Sequence, residues 1–518
     1  MRMSDTSYIA ALDIGTTTIR CYVINSRAET VGNAVTKTKI LYPQSGYVEI
    51  EPDDLWNTVI SITKEAISNA NLGPKDIKCL AITTQRATFI TWAKDTGKYL
   101  HNFITWKDTR SKDLVEKINN SYLLKTMQSG AHLLYLLGRR DRYLMGSRFK
   151  LSTIQCTSRL LWVLQNIPEV RRAADNHNLC FGTIDTWLLH KLTGGTKFLS
   201  EVSNASSTGL FDPFIMKWSE IPKLLMGIPK HIYPEVVDSD YDFGGTVPEI
   251  FGVPIRIGSI IADQQASMFG SSCFMPKDLK ITIGTGSFIN INTNSEPVAS
   301  AEGTYPLVAW TLNNISTYLT EASCRDSGSL IQWAMNAGIA SEVSKISAQA
   351  YSVQDSDGVF FIPAFSGLGP PLSDDQAATG FLGLKPTTTR NHMMRAILES
   401  IVYTIVTAYN ALHQQNTPEL KEISVDGGVS NNDFVCQLLA DILERKIIRF
   451  ASHERTILGA SFLAGLNIGV WKNTQDWLEL RKILRIFVPD ENVKRKEQLV
   501  YNMETWLKAV KRFEKWYT

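Results

Sequence analysis

The seven cysteines of this 518-residue chain form no CxxC pair and no close cluster. A structural zinc site or a thioredoxin-like motif therefore has no support, and dispersed cysteines are typical of buried thiols in a reducing compartment. The chain also lacks an apolar run of about 18 residues that could span a bilayer, and its first residues lack the apolar core of a signal peptide. We therefore expect a cytoplasmic protein with no membrane span.

An excess of charge of either sign is also absent, because 53 Lys and Arg residues oppose 51 Asp and Glu residues to give a net charge of +2. A near-neutral chain gives no electrostatic reason to expect nucleic acid or an anionic membrane as the main partner. Low-complexity tracts and charge blocks are missing, and 44% hydrophobic residues are typical of a globular protein. At roughly 150 residues per domain, the length predicts more than one core.

Short apolar runs alternate with segments of helical periodicity, which favours an α/β fold. One run, at residues 8–13, ends at an acid and is followed by Gly-Thr-Thr-Thr and a second apolar run. Residues 279–283, a Gly-Thr-Gly-Ser turn and residues 288–292 repeat this arrangement. The pattern predicts two glycine-threonine hairpins that open two related domains, residues 1–257 and 258–518.

The hairpin tips carry residue types that suit phosphate. Glycine lets backbone N–H groups approach a phosphate without a Cβ in the way, and threonine hydroxyls add donors. Asp13 ends the first strand, where a carboxylate can hold Mg²⁺ and its waters. Either hairpin alone is better explained as a capped turn. Two hairpins that face each other could hold the phosphates of a nucleotide from opposite sides.

Two further strand ends carry an acid. Asp263 follows an apolar strand and opens a helix, where it is either an N-cap worth about 1 kcal/mol or a base that accepts a proton from a substrate hydroxyl. Asp426-Gly427-Gly428 leads from a strand into a helix, which suits close approach by an adenosine or a phosphate. A simple strand-to-helix turn explains the second segment equally well. Spacing alone leaves both pairs of interpretations open.

The C-terminal tail, residues 491–518, is rich in Lys and aromatic residues. This composition predicts a helix that covers the core, with a partner-binding helix as the alternative.

Several segments, taken in order, resemble the FGGY carbohydrate kinases and, within them, the glycerol kinase branch. The resemblance runs from about residue 9 to residue 469, nearly the whole chain. The matching stretches are DIGTTTIR from Asp13, TTQRATFITWAKDTGKYLHNFITWKDTR from Thr83, IADQQASMFG from Ile261, IGTGSF from Ile283, SGSLIQWA from Ser327, FIPAFSGLGPP from Phe361, GFLGLKPTTTRNHMMRAILE from Gly380 and DGGVSNNDFVCQLLADIL from Asp426.

The resemblance implies two actin-like, ribonuclease-H-like ATPase domains with a cleft between them, and transfer of a phosphoryl group from MgATP to a polyol. It implies that Asp263 is the catalytic base and that Asp13 acts on phosphate through Mg²⁺. The implied phosphate and nucleotide contacts are Thr16, Thr17, Thr18, Arg20, Thr285, Gly286, Gly328, Gln332, Gly428 and Asn432. The implied acceptor contacts are Arg86, Trp106, Asp263, Gln264 and Phe288.

Two acceptor positions depart from the glycerol kinase pattern. Glycerol kinases read Gln-Arg-Glu where this chain has Gln85-Arg86-Ala87, and Ile154 aligns best with an expected tyrosine. Losing a charged hydrogen-bond acceptor removes on the order of 1.5–3 kcal/mol of binding unless another group replaces it. The segment 121–157 is also longer than the family pattern.

The leading hypothesis is an ATP-dependent kinase that converts glycerol to sn-glycerol 3-phosphate. A kinase of another polyol or sugar is the first alternative, favoured by Ala87 and Ile154. A nucleotide-binding scaffold with weak catalysis is the second. A small polyol is the expected partner, and a homo-oligomer stays open.

Overall fold

The computed structural model describes residues 7–299, 305–413 and 422–517. Helices and strands alternate along the chain and build two large mixed β-sheets.

The elements of the first described segment include both glycine-threonine hairpins. Its strands are β1 (Tyr8–Ile14), β2 (Thr18–Asn25), β3 (Thr30–Lys37), β4 (Glu49–Ile50), β5 (Ile77–Thr84), β6 (Phe89–Ala93), β7 (Phe103–Ile104), β8 (Leu179–Thr183), β9 (Leu199–Glu201), β10 (Phe211–Asp212), β11 (Lys217–Trp218), β12 (Glu235–Val237), β13 (Ile257–Ala262), β14 (Leu279–Ile283) and β15 (Ser287–Asn294). Its helices are α1 (Pro52–Asn69), α2 (Lys112–Asn119), α3 (Tyr122–Gly138), α4 (Asp141–Arg148), α5 (Cys156–Asn166), α6 (Pro168–Asp175), α7 (Ile184–Leu192), α8 (Val202–Ser206), α9 (Ile221–Met226), α10 (Pro248–Phe251) and α11 (Asp263–Gly270).

The later described segments complete the second sheet and its helices. Their strands are β16 (Tyr305–Leu312), β17 (Ile315–Cys324), β18 (Phe360–Ile362), β19 (Gly380–Leu382), β20 (Glu422–Asp426), β21 (Lys446–Phe450) and β22 (Ile483–Phe487). Their helices are α12 (Gly328–Asn336), α13 (Ile346–Tyr351), α14 (Arg390–His413), α15 (Asp433–Leu443), α16 (Arg455–Asn467), α17 (Thr474–Leu480) and α18 (Val493–Val510).

The two large sheets share one plan. The first has the order β13-β5-β1-β2-β3, in which β1, β2 and β3 are antiparallel and β5 and β13 run parallel to β1. The second has the order β16-β17-β15-β14-β20-β21-β22, in which β14, β15 and β17 are antiparallel and β20 and β21 run parallel to β14. Each sheet therefore begins with a hairpin and continues into parallel strands, as expected of two related halves.

Strand β13 belongs to the first sheet, because it pairs in parallel with β5. The predicted boundary between residues 257 and 258 falls inside this strand, and it stays a prediction.

An apolar cluster joins the two halves. It includes Ile9 and Ala81 from the first sheet, Leu307 and Leu319 from the second, and Leu463 of α16. Burial of such side chains drives association of the elements that carry them.

Helices α11 and α16 cross at backbone contact. A Cβ added at Gly459 would lie 1.8 Å from the carbonyl oxygen of Ala266, and one added at Gly270 would lie 2.1 Å from that of Arg455. Only glycine allows this approach.

The C-terminal helix α18 covers the core, as predicted. Trp506 is fully buried, donates its indole N–H to the carbonyl oxygen of Phe361 at 2.9 Å, and packs against Tyr403. All seven cysteines are buried free thiols. Within the described ranges, no helix has both the length and the apolar character that crossing a membrane requires.

Candidate active site

The first hairpin places Asp13 opposite Arg20. Strands β1 and β2 pair these two residues across the ladder, and the backbone N–H of Gly15 closes the turn on the carbonyl oxygen of Thr18 at 3.0 Å. Arg20 Nε lies 3.7 Å from Asp13 Oδ2, and Arg20 Nη1 forms an ion pair with Glu454, which precedes α16. A guanidinium therefore separates two carboxylates at the end of β1.

The Asp13 carboxyl lies in a region dense in negative charge. Burial raises the pKa of Asp13 to about 7, Arg20 opposes the shift, and the charges of Asp263 and Glu454 add to it. Three carboxylates in one poorly solvated region attract a cation. The donors at this hairpin are oxygens, the Asp13 carboxylate and threonine hydroxyls, which Mg²⁺ prefers. The residues present therefore fit Mg²⁺, although no group of three or more His, Cys, Asp or Glu residues forms a metal cage in the part of the chain that is described.

The three threonines of the tip have different surroundings. Thr17 is exposed, whereas Thr18 Oγ1 accepts a hydrogen bond from Arg20 Nε at 3.1 Å. The Thr16 hydroxyl accepts a hydrogen bond from Trp106 Nε1 at 2.8 Å and lies 3.3 Å from Gln85 Oε1. Thr16 thus contacts a residue predicted for the acceptor, and the role of all three threonines at the phosphates stays a prediction.

The second hairpin packs against the start of α12. The backbone N–H of Gly328 donates to the carbonyl oxygen of Gly284 at 2.8 Å, and a Cβ at Gly328 would lie 2.7 Å from that oxygen. A Cβ at Gly286 would lie 2.5 Å from the carbonyl oxygen of Cys324. These glycines allow the hairpin to pack closely, and the Thr285 side chain stays exposed at the tip.

The loop after β20 lies against the same hairpin. Gly427 has a φ of +84°, and a Cβ there would lie 2.6 Å from the carbonyl oxygen of Ile283. Gly428 is exposed, and a Cβ at that position would meet no atom within 4 Å. Asn432 caps α15 through the backbone N–H of Val435, at 3.2 Å.

The start of α12 and the loop after β20, which carry several of the predicted nucleotide residues, also pack against each other. Gln332 is exposed one turn beyond Gly328 on α12. A Cβ at Gly328 would lie 3.4 Å from Cγ2 of Val429, the residue after Gly428.

Arg86 joins the two halves at the predicted acceptor site. Its Nε lies 3.4 Å from Asp263 Oδ1, and its two terminal nitrogens bind the two oxygens of Glu321 on β17 at 2.9 and 3.0 Å. Arg86 Cζ also lies 5.5 Å from the centre of the Phe288 ring. Asn290 Nδ2 donates to Glu321 Oε2 at 2.8 Å. Three of the predicted acceptor residues, Arg86, Asp263 and Phe288, are thus in one place.

Asp263 combines partial exposure with a raised pKa. Its side chain is 27% exposed, and Oδ1 accepts the backbone N–H of Gln264 at 2.7 Å. Burial raises the pKa of Asp263, Arg86 lowers it, and the charge of Glu321 raises it further. A carboxyl with a raised pKa is a stronger base than an ordinary aspartate.

Gln264 is held by a buried lysine. Lys280 Nζ donates to Gln264 Oε1 at 2.9 Å and to Thr282 Oγ1 at 2.7 Å. Lys280 is fully buried, and burial lowers its pKa, whereas the charges of Asp426 and Glu321 raise it. The Gln264 amide is therefore fixed from the second sheet.

Ala87 and Ile154, the two departures from the family pattern, are linked by Arg159. Arg159 Nη2 donates to the carbonyl oxygens of Ala87 and Ile154 at 2.8 and 2.6 Å, and Nη1 donates to that of Thr105, next to Trp106, at 2.6 Å. Ala87 is only 5% exposed, whereas the Ile154 side chain is 49% exposed. One buried arginine thus ties together the backbone around this part of the site.

Three residues of the site escaped the sequence analysis: Glu321, Lys280 and Glu454. Lys280 lies in a short strand of otherwise uncharged and mostly buried residues, and Glu321 lies in the buried stretch 318–322 of β17. A charge in such a strand is a signal, because burial of an unpaired charge is unfavourable and a partner must lie nearby. Glu454 gives no comparable signal, since it lies in an irregular segment before α16.

Comparison with known proteins gives the same architecture. The N-terminal and C-terminal domains of the FGGY family of carbohydrate kinases match residues 8–270 and 279–468. Glycerol kinase 5 of Bos taurus is 42% identical over 510 residues, 98% of this chain and 96% of the relative. Glycerol kinase 1 of Clostridium tetani is 36% identical, over 98% of this chain and 99% of the relative.

A solved structure agrees with the predicted fold. The crystal structure of Plasmodium falciparum glycerol kinase with ADP superposes with a TM-score of 0.87 at 27% identity, covering 98% of both chains. The predicted two-domain α/β fold is confirmed. Matches to both family domains, relatives of 36% and 42% identity and a shared fold over 98% of the chain lead to one conclusion: this chain belongs to the FGGY family of carbohydrate kinases.

Proposed function

We propose that this protein transfers the γ-phosphoryl group of ATP to glycerol and forms sn-glycerol 3-phosphate. The glycerol kinases among its relatives support this substrate. The observation that carries the proposal is a contact between the two halves. Arg86 lies beside Asp263 on the side of the first sheet and binds Glu321 of the second sheet.

Asp263 accepts the proton of the attacking hydroxyl. Its carboxylate is partly exposed, so a substrate can reach it, and its raised pKa strengthens it as a base. Arg86 keeps the carboxylate in place and offers N–H donors beside it. The reaction depends mainly on such positioning, because phosphoryl transfer needs little covalent help from the protein.

The glycine-threonine hairpins hold the phosphates. Thr17 and Thr285 are exposed at the two tips, and Gly428 leaves open space on the nucleotide surface. Arg20 neutralises charge between Asp13 and Glu454. When bound, Mg²⁺ would be held by Asp13 and would neutralise phosphate charge there. We place the reaction in the cytoplasm, because seven buried free thiols suit a reducing compartment.

A second candidate acceptor is a polyol or sugar other than glycerol. Ala87 favours it, because alanine removes a carboxylate that glycerol kinases carry at this position. Arg86 binds the carboxylate of Glu321, from the second sheet. The two candidates share the chemistry and differ only in the acceptor.

The decisive experiment compares wild type with Asp263→Asn, using MgATP and a panel of polyols. Product formation is followed by mass spectrometry and ATP binding by calorimetry. We expect turnover to fall by roughly two or more orders of magnitude, the usual weight of a positioned base, with ATP affinity retained. Asp476→Asn is the matched control, since Asp476 is also an acid in the first turn of a helix, α17.

Three other results would each count against part of the proposal. Near-normal turnover in Asp263→Asn would mean that Asp263 is only an acid at the start of a helix and does not act as the base. Turnover with a polyol other than glycerol would favour the second acceptor. Tight ATP binding by wild type without turnover on any polyol would favour a scaffold.

A further inference from the structure

Helix α3 has an apolar outer face. Leu133, Leu137 and Tyr122 are 59%, 78% and 89% exposed. On a helix of 3.6 residues per turn these positions share one side. All residues on that side are apolar or small and uncharged: Tyr122, Leu123, Thr126, Ser129, Gly130, Leu133, Leu134, Leu136 and Leu137. A cluster of exposed leucines of this extent marks an interaction surface.

The opposite side of α3 is anchored. Leu124 is 1% exposed, and Gln128 Nε2 donates to the carbonyl oxygen of Phe149 at 2.7 Å. Helix α4 packs so closely that a Cβ at Gly146 would lie 3.1 Å from Cβ of Ala131. The outer face is thus held outward on a helical hairpin, and no described residue covers it.

Basic residues cluster around this hairpin. Residues 121–150 contain six Lys or Arg residues and one Asp, a net charge of +5, whereas the whole chain carries +2. Arg142 pairs with Asp212, but Arg139, Arg140, Arg148 and Lys150 are exposed without an ion pair among the described residues. The local positive charge is therefore available to an anionic partner.

A groove continues the apolar surface at the start of α3. It has a volume of about 310 Å³. Its lining includes Ile118, Leu123, Leu124, Leu225 and Met226.

We propose that the outer face of α3 and the basic residues beside it form a peripheral binding site for an anionic lipid bilayer. The face carries five leucines and Tyr122, with Thr126 and Ser129 as its polar side chains, so it can enter the boundary between headgroups and acyl chains, where amphipathic helices with basic flanks lie. Arg139 and Arg140, which directly follow the C-terminal end of α3, would contact anionic headgroups. A second copy of the chain fits less well, because a two-fold contact would bring two surfaces of charge +5 together.

The test is sedimentation of the full-length protein with vesicles. One set contains phosphatidylcholine alone, and the other contains phosphatidylcholine with 30% phosphatidylserine. We expect binding to the anionic vesicles, at least tenfold weaker binding to the neutral ones, and a loss of similar size when salt is raised from 0.1 to 0.5 M, since salt screens exposed charges.

Two variants separate the apolar and charged parts. Leu133→Glu/Leu137→Glu and Arg139→Glu/Arg140→Glu should each weaken binding at least tenfold. The control Leu384→Glu/Leu484→Glu changes leucines of similar exposure elsewhere and should bind like wild type. None of these residues lies in the proposed active site, so circular dichroism and glycerol kinase activity without vesicles should match wild type in all variants.

Three results would overturn the proposal. One is the absence of binding to anionic vesicles. Another is equal binding by wild type and the α3 variants. The third is a dimer in light scattering that the leucine variant converts to a monomer, which would assign the face to a second copy of the chain.

Discussion

Arg86 sets the properties of Asp263, because it is shared between Asp263 and Glu321. In Glu321→Gln the shape is kept and one negative charge is lost. The pKa of Asp263 should then fall, because Glu321 raises it in the wild type and Arg86 becomes free to act on Asp263 alone. Since the base must be deprotonated, the acidic limb of the pH profile of kcat/KM should move to lower pH.

The control for this prediction is Glu342→Gln, which changes an exposed glutamate in an ion pair with Lys345 far from the site. Its pH profile should match wild type. An unshifted limb in Glu321→Gln would mean that Asp263 is not the group whose titration controls the rate.

Ala87→Glu tests the altered acceptor site. If glycerol is the acceptor, the new carboxylate beside Arg86 should lower KM for glycerol by up to about tenfold, because a charge-assisted hydrogen bond contributes about 1.5 kcal/mol or slightly more. Ala87 already has a φ of +57°, so glutamate adds no backbone strain that alanine lacks. Ala87→Gln separates charge from size and should give a smaller gain.

The measurement is kcat/KM for glycerol and for longer polyols. A fall on a longer polyol, with a rise on glycerol, would identify the second acceptor class. No change on any acceptor would mean that position 87 does not face the substrate, in line with its 5% exposure.

At the residue scale, the sequence predicts the site side chains that follow strand ends. It does not predict those that reach the site from distant parts of the chain. Asp13, Asp263 and Arg86 stand in motifs, and the structure brings them close together. Glu321 and Lys280 reach the site only because two sheets face each other, and no local pattern fixes that pairing. The Thr16 contact with Trp106 is equally non-local.

At the element scale, alanine substitutions at two glycines on the nucleotide side should have opposite effects on binding and stability. Gly428→Ala adds a methyl group where no atom lies within 4 Å, so the fold should be unaffected and MgATP should bind more weakly. Gly286→Ala places a Cβ 2.5 Å from the carbonyl oxygen of Cys324, so it should lower the melting temperature first. Calorimetry and thermal unfolding on both variants check this.

Equal ATP affinity in wild type and Gly428→Ala would mean that the loop after β20 does not belong to the nucleotide site. A Gly286→Ala variant as stable as wild type would show that the hairpin can move away from Cys324.

The elements themselves differ in how well sequence predicts them. For the second hairpin the sequence predicts strands at residues 279–283 and 288–292, and the structure has strands at Leu279–Ile283 and Ser287–Asn294. Its turn residues and β-branched strands are local signals. Helix α3 lacks a clear amphipathic pattern in the sequence, because its apolar residues lie on both its buried and its exposed sides.

At the scale of the whole molecule, Glu201 links several elements. Its carboxylate accepts hydrogen bonds from the backbone N–H groups of Ser203 and Asn204 at 2.9 and 3.2 Å. Ser203 Oγ in turn accepts the backbone N–H of Ala262, the residue before Asp263, at 2.9 Å. Glu201 therefore supports the segment that carries the proposed base.

The charge of Glu201 makes stability depend on pH. Burial raises its pKa from 4.5 to about 7, so the unfolded chain gives up the proton more readily than the folded one. The folded chain thus holds the Glu201 proton more tightly, and this stabilises the fold fully below pH 4.5. The stabilisation is lost as pH rises towards 7, so the free energy of unfolding falls by about 3 kcal/mol over this range. Glu201→Gln should lack this loss.

Urea unfolding of wild type and Glu201→Gln at pH 5 and pH 8 measures the difference. The free energy of unfolding of the variant, relative to that of wild type, should be higher at pH 8 than at pH 5. A constant gap at both pH values would mean that Glu201 is already ionised throughout this range.

The glycine crossing of α11 and α16 has a consequence for the spacing of charge. Helix α11 begins with Asp263, and α16 begins directly after Glu454. Because Gly270 and Gly459 each face backbone atoms of the other helix, no smaller neighbour can make room for a side chain at either position. The separation of the two helix starts that carry these carboxylates is thus held by main-chain contact, and no pair of compensating substitutions at the crossing could change it without moving both helices.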